Sequence, residues 1–145
     1  MHLVIDTNIW ISGLLWRGMP WRLLRLAEQG RVTFSMAPAM VAELAEVLAY
    51  ERLQTRLHQL GLTPAECVAY VLTLVSIFEA PEPSGPPIVS ADPDDDIFLR
   101  CAVIAGADYV ISGDHHLLDL EAYAGIPILT VRDFFDREFP DSAID

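Results

Sequence analysis

The sequence contains no lysine. All nine of its basic residues are arginine, against 21 aspartates and glutamates, and the formal net charge is −12. The acids are concentrated late in the chain: residues 1–90 carry 8 acids and 6 arginines, whereas residues 91–145 carry 13 acids and 3 arginines. This acidity argues against broad, non-specific binding of nucleic acids. It does not exclude a nucleic-acid substrate if metal ions neutralise the acids locally.

Cysteines and long apolar runs are also scarce. Cys67 and Cys101 both lie in apolar patterns of helical type, which favours buried thiols over a disulfide and suits a reducing cytoplasm. No apolar stretch reaches the roughly 18 residues of a membrane span, and the start MHLVIDTNIW lacks the basic region of a signal peptide. We therefore expect one cytoplasmic domain over residues 1–145, without a membrane partner.

Strand-like and helix-like segments alternate along the chain. The segments with strand character are HLVID (2–6), VTFSM (32–36), DYVIS (108–112) and PILT (127–130). The predicted helices are WRLLRLAEQG after Pro20, AMVAELAEVLAYERL after Pro38, VAYVLTLVSIF after the TPAE capping box (63–66), a helix from Asp95 or Asp96 to Gly106, and VRDFFDREF capped by Thr130 and Asp133. The segment PEPSGPP (81–87) is a predicted loop. The alternation predicts an α/β fold with a parallel sheet.

Four acids stand where the carboxyl ends of parallel strands would meet. Asp6 closes the first strand, and Asp114 follows DYVIS through a glycine. Asp96 opens the helix before that strand, and Glu43 lies about one turn into the helix after the second strand. Ligands of open α/β sheets bind at this edge. Because Asp6 has apolar neighbours and an unpaired buried carboxylate is costly, the sequence predicts that these acids converge.

Each acid has a simpler interpretation when it is taken alone. Asp6 could cap the turn TNIW, Glu43 could be a solvated helix residue, and Asp114 could be an ordinary turn residue. The run SADPDDDIFLR (90–100) could be a charged helix N-terminus. A calcium-binding EF-hand loop is excluded there, because Ile97 stands where the sharp turn of that loop needs glycine.

Three motifs carry a resemblance to a known family. They are VIDTNIWISGLL, SMAPAMVAEL and DPDDDIFLRCAVIAGADYVISGDHHLL, and the resemblance covers nearly the whole chain. In these motifs the chain resembles the PIN-domain ribonucleases, specifically the VapC-like toxins of toxin–antitoxin pairs. The resemblance implies a sandwich with a central parallel sheet of four to five strands flanked by helices. It also implies Mg²⁺- or Mn²⁺-dependent cleavage of RNA to a 5′-phosphate and a 3′-hydroxyl, a homodimer, and a small antitoxin partner.

The resemblance also implies roles for the four acids. The implied catalytic residues are Asp6, Glu43, Asp96 and Asp114. Of these, Asp6, Asp96 and Asp114 are the implied metal ligands, and Glu43 is either a further ligand or the residue that orients the attacking water. A divalent ion would lower the pKa of that water and neutralise charge on the phosphoryl oxygens.

Neighbouring polar residues are implied to support this set. Asn8 and Ser112 would hydrogen-bond the acids or metal-bound water. Within the acidic run, Asp96 is predicted to face the metal, and Asp92, Asp94 and Asp95 to rim the cleft or cap the helix. Of these three, Asp95 is the one expected to support the metal ligands.

His116 departs from the family pattern. Family members often carry an acid two residues after the equivalent of Asp114, and this chain has a histidine there, beside His115. His116 either binds Mn²⁺ through a ring nitrogen or lies exposed, so a complete second metal site is not implied.

An arginine-rich patch is the candidate for partner binding. Arg17, Arg22 and Arg25 lie in or just before the first long helix, near Trp16 and Trp21, and positions 22 and 25 share a helix face. The patch could bind RNA phosphates and bases or the antitoxin, or it could be a solvated helix with buried tryptophans.

Other functions compete with the ribonuclease hypothesis. A phosphoacceptor receiver domain also has strand-end acids and Mg²⁺, but it normally needs a lysine that this chain lacks. A non-catalytic PIN-fold binding module and a structure-specific DNA nuclease both remain as alternatives.

Overall fold

The computed structural model describes residues 1–79, 88 and 95–141, so the predicted loop at 81–87 lies outside the described residues. The strands are β1 (His2–Ile5), β2 (Thr33–Met36), β3 (Val75–Ile77), β4 (Tyr109–Ile111), β5 (Ala122–Tyr123) and β6 (Ile126–Leu129). The helices are α1 (Thr7–Leu15), α2 (Met19–Glu28), α3 (Pro38–Leu48), α4 (Glu51–Leu60), α5 (Pro64–Leu74), α6 (Asp96–Ala105), α7 (His115–Leu118) and α8 (Val131–Glu138).

The strands form one sheet in the order β3-β2-β1-β4-β6-β5. All neighbouring pairs are parallel except β5 with β6, which is antiparallel. The predicted α/β fold, a mostly parallel sheet flanked by helices, is therefore confirmed. The described residues contain six strands rather than the four to five expected, because β3 and the two-residue β5 carried no separate strand signal.

The additional strand β3 lies where the sequence predicted helix. The apolar pattern VAYVLTLVSIF suggested a helix through Phe78, but α5 ends at Leu74. Residues Val75–Ile77 pair with β2 instead, and the N–H of Phe78 donates to the carbonyl of Met36 at 2.9 Å. Branched Val75 and Ile77 fit a pleated strand well, so sheet pairing overrides the helical pattern at this point.

The helix predicted after Pro38 is interrupted. It ends at Leu48 and resumes as α4 at Glu51, because Tyr50 has an extended backbone with ψ 139°. The side chain of Gln54 donates to the carbonyls of Leu48 and Tyr50, each at 3.1 Å, and so satisfies groups at the break. The residues TNIW, expected only as a turn, begin the nine-residue helix α1.

The core is built around the central strand β1. Leu3, Val4 and Ile5 are each at most 1% exposed, and Trp10 of α1 packs edge-on against Phe34 of β2, with ring centroids 5.0 Å apart. Burial of these apolar groups is the main favourable contribution to folding. No helix within the described ranges combines the length and apolarity that a membrane span requires.

Both cysteines are buried free thiols, as expected. Burial raises the pKa of Cys101 to about 11, so its neutral thiol behaves as a small apolar side chain. The predicted capping box is also present: Thr63 Oγ1 accepts the N–H of Glu66 at 3.1 Å, and Glu66 Oε1 accepts the N–H of Thr63 at 3.2 Å.

Parallel pairing brings the ends of β1 and β4 to the same edge of the sheet. The register joins Leu3 with Tyr109 and Ile5 with Ile111, so the residues that follow Ile5 and Ile111 leave the sheet side by side. These residues are Asp6 and the segment 112–114.

Candidate metal centre

Asp6 combines a helix cap with a position at the sheet edge. Its Oδ1 accepts the N–H of Ile9 at 2.9 Å and so caps α1. Its Oδ2 accepts the hydroxyl of Ser112 and, at 3.4 Å, the N–H of Gly113. The residue is only 5% exposed. The capping and site interpretations of Asp6 are therefore compatible, since one oxygen faces α1 and the other faces the end of β4.

The surroundings of Asp6 disfavour its charge. Burial raises the pKa of this carboxyl above its ordinary value, and the nearby charge of Asp114 adds to the increase. Hydrogen bonds from Ser112, Ile9 and Gly113 act in the opposite direction without cancelling the effect of burial. A bound cation would favour the charged form, because opposite charge nearby stabilises a carboxylate.

Ser112 connects the acids of β1 and β4. It is fully buried; its hydroxyl donates to Asp6 and accepts the backbone N–H of Asp114 at 2.9 Å. A side chain that both donates and accepts in a buried position fixes its two neighbours relative to each other. Ser112 thus lies between the two acids that the sequence placed at the site.

Asp114 is more open than Asp6 and its charge is favoured. Its Oδ1 accepts the N–H of His116 at 2.9 Å. That hydrogen bond is the largest cause that lowers the pKa of Asp114 below its ordinary value. Partial burial acts in the opposite direction. A side-chain hydrogen bond with Asp95 and the imidazoles of His116 and His115 lower the pKa further. The acid is therefore held as a carboxylate beside the buried Asp6.

Glu43 reaches the same place from α3. Its Oε2 accepts the hydroxyl of Thr7 at 2.7 Å, so the first residue of α1 orients the carboxylate. Asn8, the next residue of α1, is exposed and lines the same cleft.

The structure gives the two neighbouring acids at the start of α6 different surroundings. Asp95 lines the cleft and hydrogen-bonds the side chain of Asp114. Asp96 is 6% exposed and is not among the described residues that line the cleft; its Oδ2 accepts the N–H of Ile88 at 2.8 Å and lies 3.9 Å from Arg100 Nη2. Asp92 and Asp94 lie outside the described residues.

Together these side chains surround a cleft of about 190 Å³. Its described lining comprises Asp6, Thr7, Asn8, Glu43, Val47, Arg52, Asp95, Phe98 and Asp114. Four carboxylates thus face one guanidinium across a small volume. A set of carboxylate oxygens is the donor type that Mg²⁺ and Mn²⁺ prefer in proteins. The residues present therefore fit a hard divalent cation.

The sequence of this α/β domain can now be compared with known families. The sequence model of the PIN domain matches residues 2–116. The chain belongs to the PIN domain family. PIN domains are generally nucleases and typically use divalent metals. The match includes every acid of the cleft. No curated protein matches the chain.

Two polar residues of the PIN-domain cleft, Thr7 and Arg52, had no sequence prediction as site residues, and neither had the apolar Val47 and Phe98. Thr7 directly follows Asp6, but its partner Glu43 is 36 positions away, and no local pattern joins them. Arg52 enters the cleft from α4, and the sequence had merged α4 with α3. The break at Tyr50 turns this part of the chain, and its extended backbone had no glycine or proline signal.

The arginine patch lies away from the cleft and is partly occupied by internal contacts. Arg25 Nη2 donates to Tyr70 Oη at 2.7 Å, Arg25 Nε lies 3.1 Å from Glu28 Oε1, and its guanidinium covers the ring of Trp21 at 4.7 Å. We call Trp21, Arg25, Glu28 and Tyr70 the Arg25 cluster. None of its members lines the cleft within the described residues.

The remaining residues of the patch are more open. Arg17 is exposed, and its guanidinium also lies over the ring of Trp21, 5.2 Å from the ring centroid. Arg22 is half-buried, and Trp16 is 45% exposed. The interpretation of the patch as a solvated helix with buried tryptophans requires a buried Trp16, so the exposure of Trp16 argues against it. Arg17 is the most accessible cation of the patch.

Proposed function

We propose that this PIN domain is a Mg²⁺- or Mn²⁺-dependent endoribonuclease. The observation that carries the proposal is the convergence of Asp6, Glu43, Asp95 and Asp114 on one cleft at the carboxyl ends of β1 and β4. The raised pKa of Asp6 supports it, because a buried carboxylate with no lysine available gains most from a bound cation.

Asp6, Asp95 and Asp114 would hold the ion, and Asp96 would hold the start of α6 in place through Ile88. A divalent ion in this set supplies charge relief on the phosphoryl oxygens and a water of lowered pKa. This assignment exchanges Asp95 and Asp96 relative to the expectation from the sequence, because Asp95 is the one that lines the cleft.

The side chains of the cleft orient the reacting groups and exclude bulk water. Thr7 engages Oε2 of Glu43, which directs Oε1 to accept a proton from the attacking water. Ser112 keeps Asp6 and Asp114 at a fixed spacing. Arg52 contacts a phosphate of the RNA backbone, and Val47 and Phe98 exclude bulk water on the apolar side. Attack of the water at phosphorus breaks the bond to the 3′ oxygen, which takes a proton from solvent, and leaves a 5′-phosphate and a 3′-hydroxyl.

The test is cleavage of a labelled single-stranded RNA by the purified chain in Mg²⁺, in Mn²⁺ and in chelator. We expect cleavage with either metal, none in chelator, and none by Asp6→Asn. The control is Asp136→Asn, which removes one exposed acid from α8. Equal cleavage in chelator, or by Asp6→Asn, would overturn the proposal. Single-stranded and branched DNA of the same sequence test the DNA-nuclease alternative.

We further propose that the chain is the toxin of a toxin–antitoxin pair, acting as a homodimer on cytoplasmic RNA. The support is the resemblance of its three motifs to VapC-like toxins. Induced expression of the wild type should stop growth, and Asp6→Asn should not. An antitoxin encoded by a short gene directly beside this one should restore growth when it is co-expressed, and light scattering should give twice the chain mass. Growth unaffected by the active chain would contradict the toxin role without affecting the nuclease assay.

A further inference from the structure

Two histidines lie beside the acidic cleft and have no part in the proposed reaction. The ligand atoms of Asp114, His115 and His116 all lie within 4.8 Å of one another. The imidazole ring centroids are 4.1 Å apart, with the rings tilted by 42°. His115 is exposed and His116 is half-buried, so solvent ions can reach the group.

The backbone of this segment is well fixed. His116 N–H donates to Asp114 Oδ1 at 2.9 Å, and the N–H groups of Leu117 and Leu118 donate to the carbonyl of Asp114 at 3.1 and 3.0 Å. Leu117 is fully buried and anchors the turn. The backbone that carries the three donors is thus held in place before an ion binds, which reduces the entropy lost on binding.

The donor set differs in kind from that of the cleft. Two imidazole nitrogens and one carboxylate oxygen suit Zn²⁺, Co²⁺ and Ni²⁺, whereas Mg²⁺ prefers oxygen ligands and binds imidazole poorly. The chain's other two histidines are elsewhere: His2 Nδ1 contacts Thr33 Oγ1 at 2.6 Å, and His58 lies on α4.

We infer that Asp114, His115 and His116 form a second, transition-metal site at the rim of the cleft, with water completing the coordination. Asp114 belongs to both sites. An ion of the Zn²⁺ class held by the histidines therefore draws Asp114 away from the hard cation of the cleft. The consequence, inhibition of Mg²⁺-supported cleavage by Zn²⁺, rests on the proposed function; the binding site does not.

The binding test uses Co²⁺, whose visible absorption reports nitrogen ligands directly. The protein is titrated with Co²⁺ without Mg²⁺, because Mg²⁺ would compete for the shared Asp114; the variants at His115 and His116 distinguish Co²⁺ held by the histidines from Co²⁺ in the cleft. We expect an absorption band for the wild type and for His58→Ala. The double variant His115→Ala/His116→Ala should bind at least on the order of 100-fold more weakly, since even the loss of an outer-shell partner costs 10–100-fold.

Circular dichroism verifies that the double variant is folded, and His115→Gln/His116→Gln repeats the test with polar side chains. Co²⁺ binding by the double variants as tight as that of the wild type would overturn the inference, as would an equal loss in His58→Ala. Because this titration contains no RNA, its failure leaves the nuclease proposal intact.

The consequence is measured separately. Zn²⁺ should inhibit Mg²⁺-supported cleavage by the wild type, and His58→Ala should be inhibited at the same concentration. The Zn²⁺ concentration that inhibits the double variant should be higher than that for the wild type, by roughly the same factor as the variant's loss of Co²⁺ affinity. Equal inhibition of all three proteins would overturn the link between the two sites.

Discussion

The cleft and the Arg25 cluster differ in how their charged side chains are paired. In the cluster, each charge has a partner of the other kind or an aromatic ring: Arg25 contacts Glu28, Tyr70 and Trp21, and Tyr70 donates to Glu28 at 2.8 Å. In the cleft, four carboxylates face one arginine. The cluster therefore contributes to packing, whereas the cleft gathers like charge that a cation from solution would balance.

The pKa directions express the same contrast. Burial, and then the hydrogen bond to Glu28, raise the pKa of Tyr70 to about 12, so its hydroxyl stays neutral and satisfied. Burial also raises the pKa of Asp6. The Asp6 carboxyl nevertheless accepts three hydrogen bonds, from Ser112, Ile9 and Gly113, and these favour its charged form. The raised pKa of Tyr70 changes nothing near neutral pH, where the hydroxyl is neutral in any case, whereas the raised pKa of Asp6 opposes a charge that a bound cation would favour.

The largest expected effect separates the two acids at the start of α6. Asp95→Asn should reduce Mg²⁺-supported RNA cleavage by at least about 100-fold, because it removes a charge from the cleft wall. Asp96→Asn should retain much more activity, because its carboxylate contacts Ile88 and Arg100 instead. Rates are compared at saturating Mg²⁺. If Asp96→Asn is the more damaging change, the assignment taken from the sequence is right and the one proposed from the cleft is wrong.

The next effect concerns the only cation that lines the described cleft. Arg52→Gln should raise KM for RNA roughly tenfold with a small change in kcat, about 1.4 kcal/mol of lost binding. The melting temperature should change little, because Arg52 is exposed. Steady-state kinetics provide the measurement. An unchanged KM would show that RNA is held elsewhere, with exposed Arg17 the first alternative.

The matched change in the Arg25 cluster should act on stability instead. Arg25→Gln removes a partly exposed ion pair, a hydrogen bond to Tyr70 and the stacking on Trp21. We expect a loss of about 1 kcal/mol in the free energy of unfolding by urea and unchanged RNA cleavage. A large loss of cleavage at normal stability would mean that the cluster contacts substrate after all.

The smallest expected effect is on the pH dependence of the metal-free protein. Because the pKa of Asp6 is higher in the folded chain than its ordinary 3.8, the folded state binds more protons between the two values. The contribution of Asp6 to stability is therefore present below about 3.8 and lost as pH rises through the folded pKa. The lowered pKa of Asp114 contributes in the opposite direction.

Comparison with Asp6→Asn isolates the contribution of Asp6 to the pH dependence of stability. Urea unfolding is measured in chelator at a series of pH values for both proteins. The stability of the wild type relative to the variant should fall as pH rises from acidic towards neutral. A difference that stays constant or grows with pH would show that the charge of Asp6 is not disfavoured in the fold.

Much of this site could be predicted from the sequence because strand ends are easy to recognise. Asp6 and Asp114 each follow a short apolar strand, and parallel pairing of β1 with β4 brings them together. Glu43 follows from the position of α3 after β2. The sequence analysis assigns Asp96 to the metal and Asp95 to a supporting role, whereas Asp95 is the one that lines the cleft. The choice depends on where α6 begins and which way its first turn faces, and neither is visible in the acidic run itself.

The fold was predictable to a similar degree, and its differences have local causes. The capping box at Thr63 and Glu66 depends on residues three apart, and it is present as predicted. The sequence predicts helix at β3 because Val75–Ile77 continues an apolar pattern of helical type. The strand that pairs with β3 is β2, which lies about 40 residues earlier. Long-range pairing of this kind leaves no trace in a short window of sequence.

Metal-dependent melting shows whether the acids of the cleft share one cation. Mg²⁺ binds the folded site only, so at 100 times its dissociation constant it should stabilise the wild type by about 2.7 kcal/mol relative to chelator. Asp114→Asn should lose most of this gain, and Asp136→Asn should retain it. An Asp114→Asn variant that gains as much from Mg²⁺ as the wild type, or a wild type that gains nothing, would contradict the account.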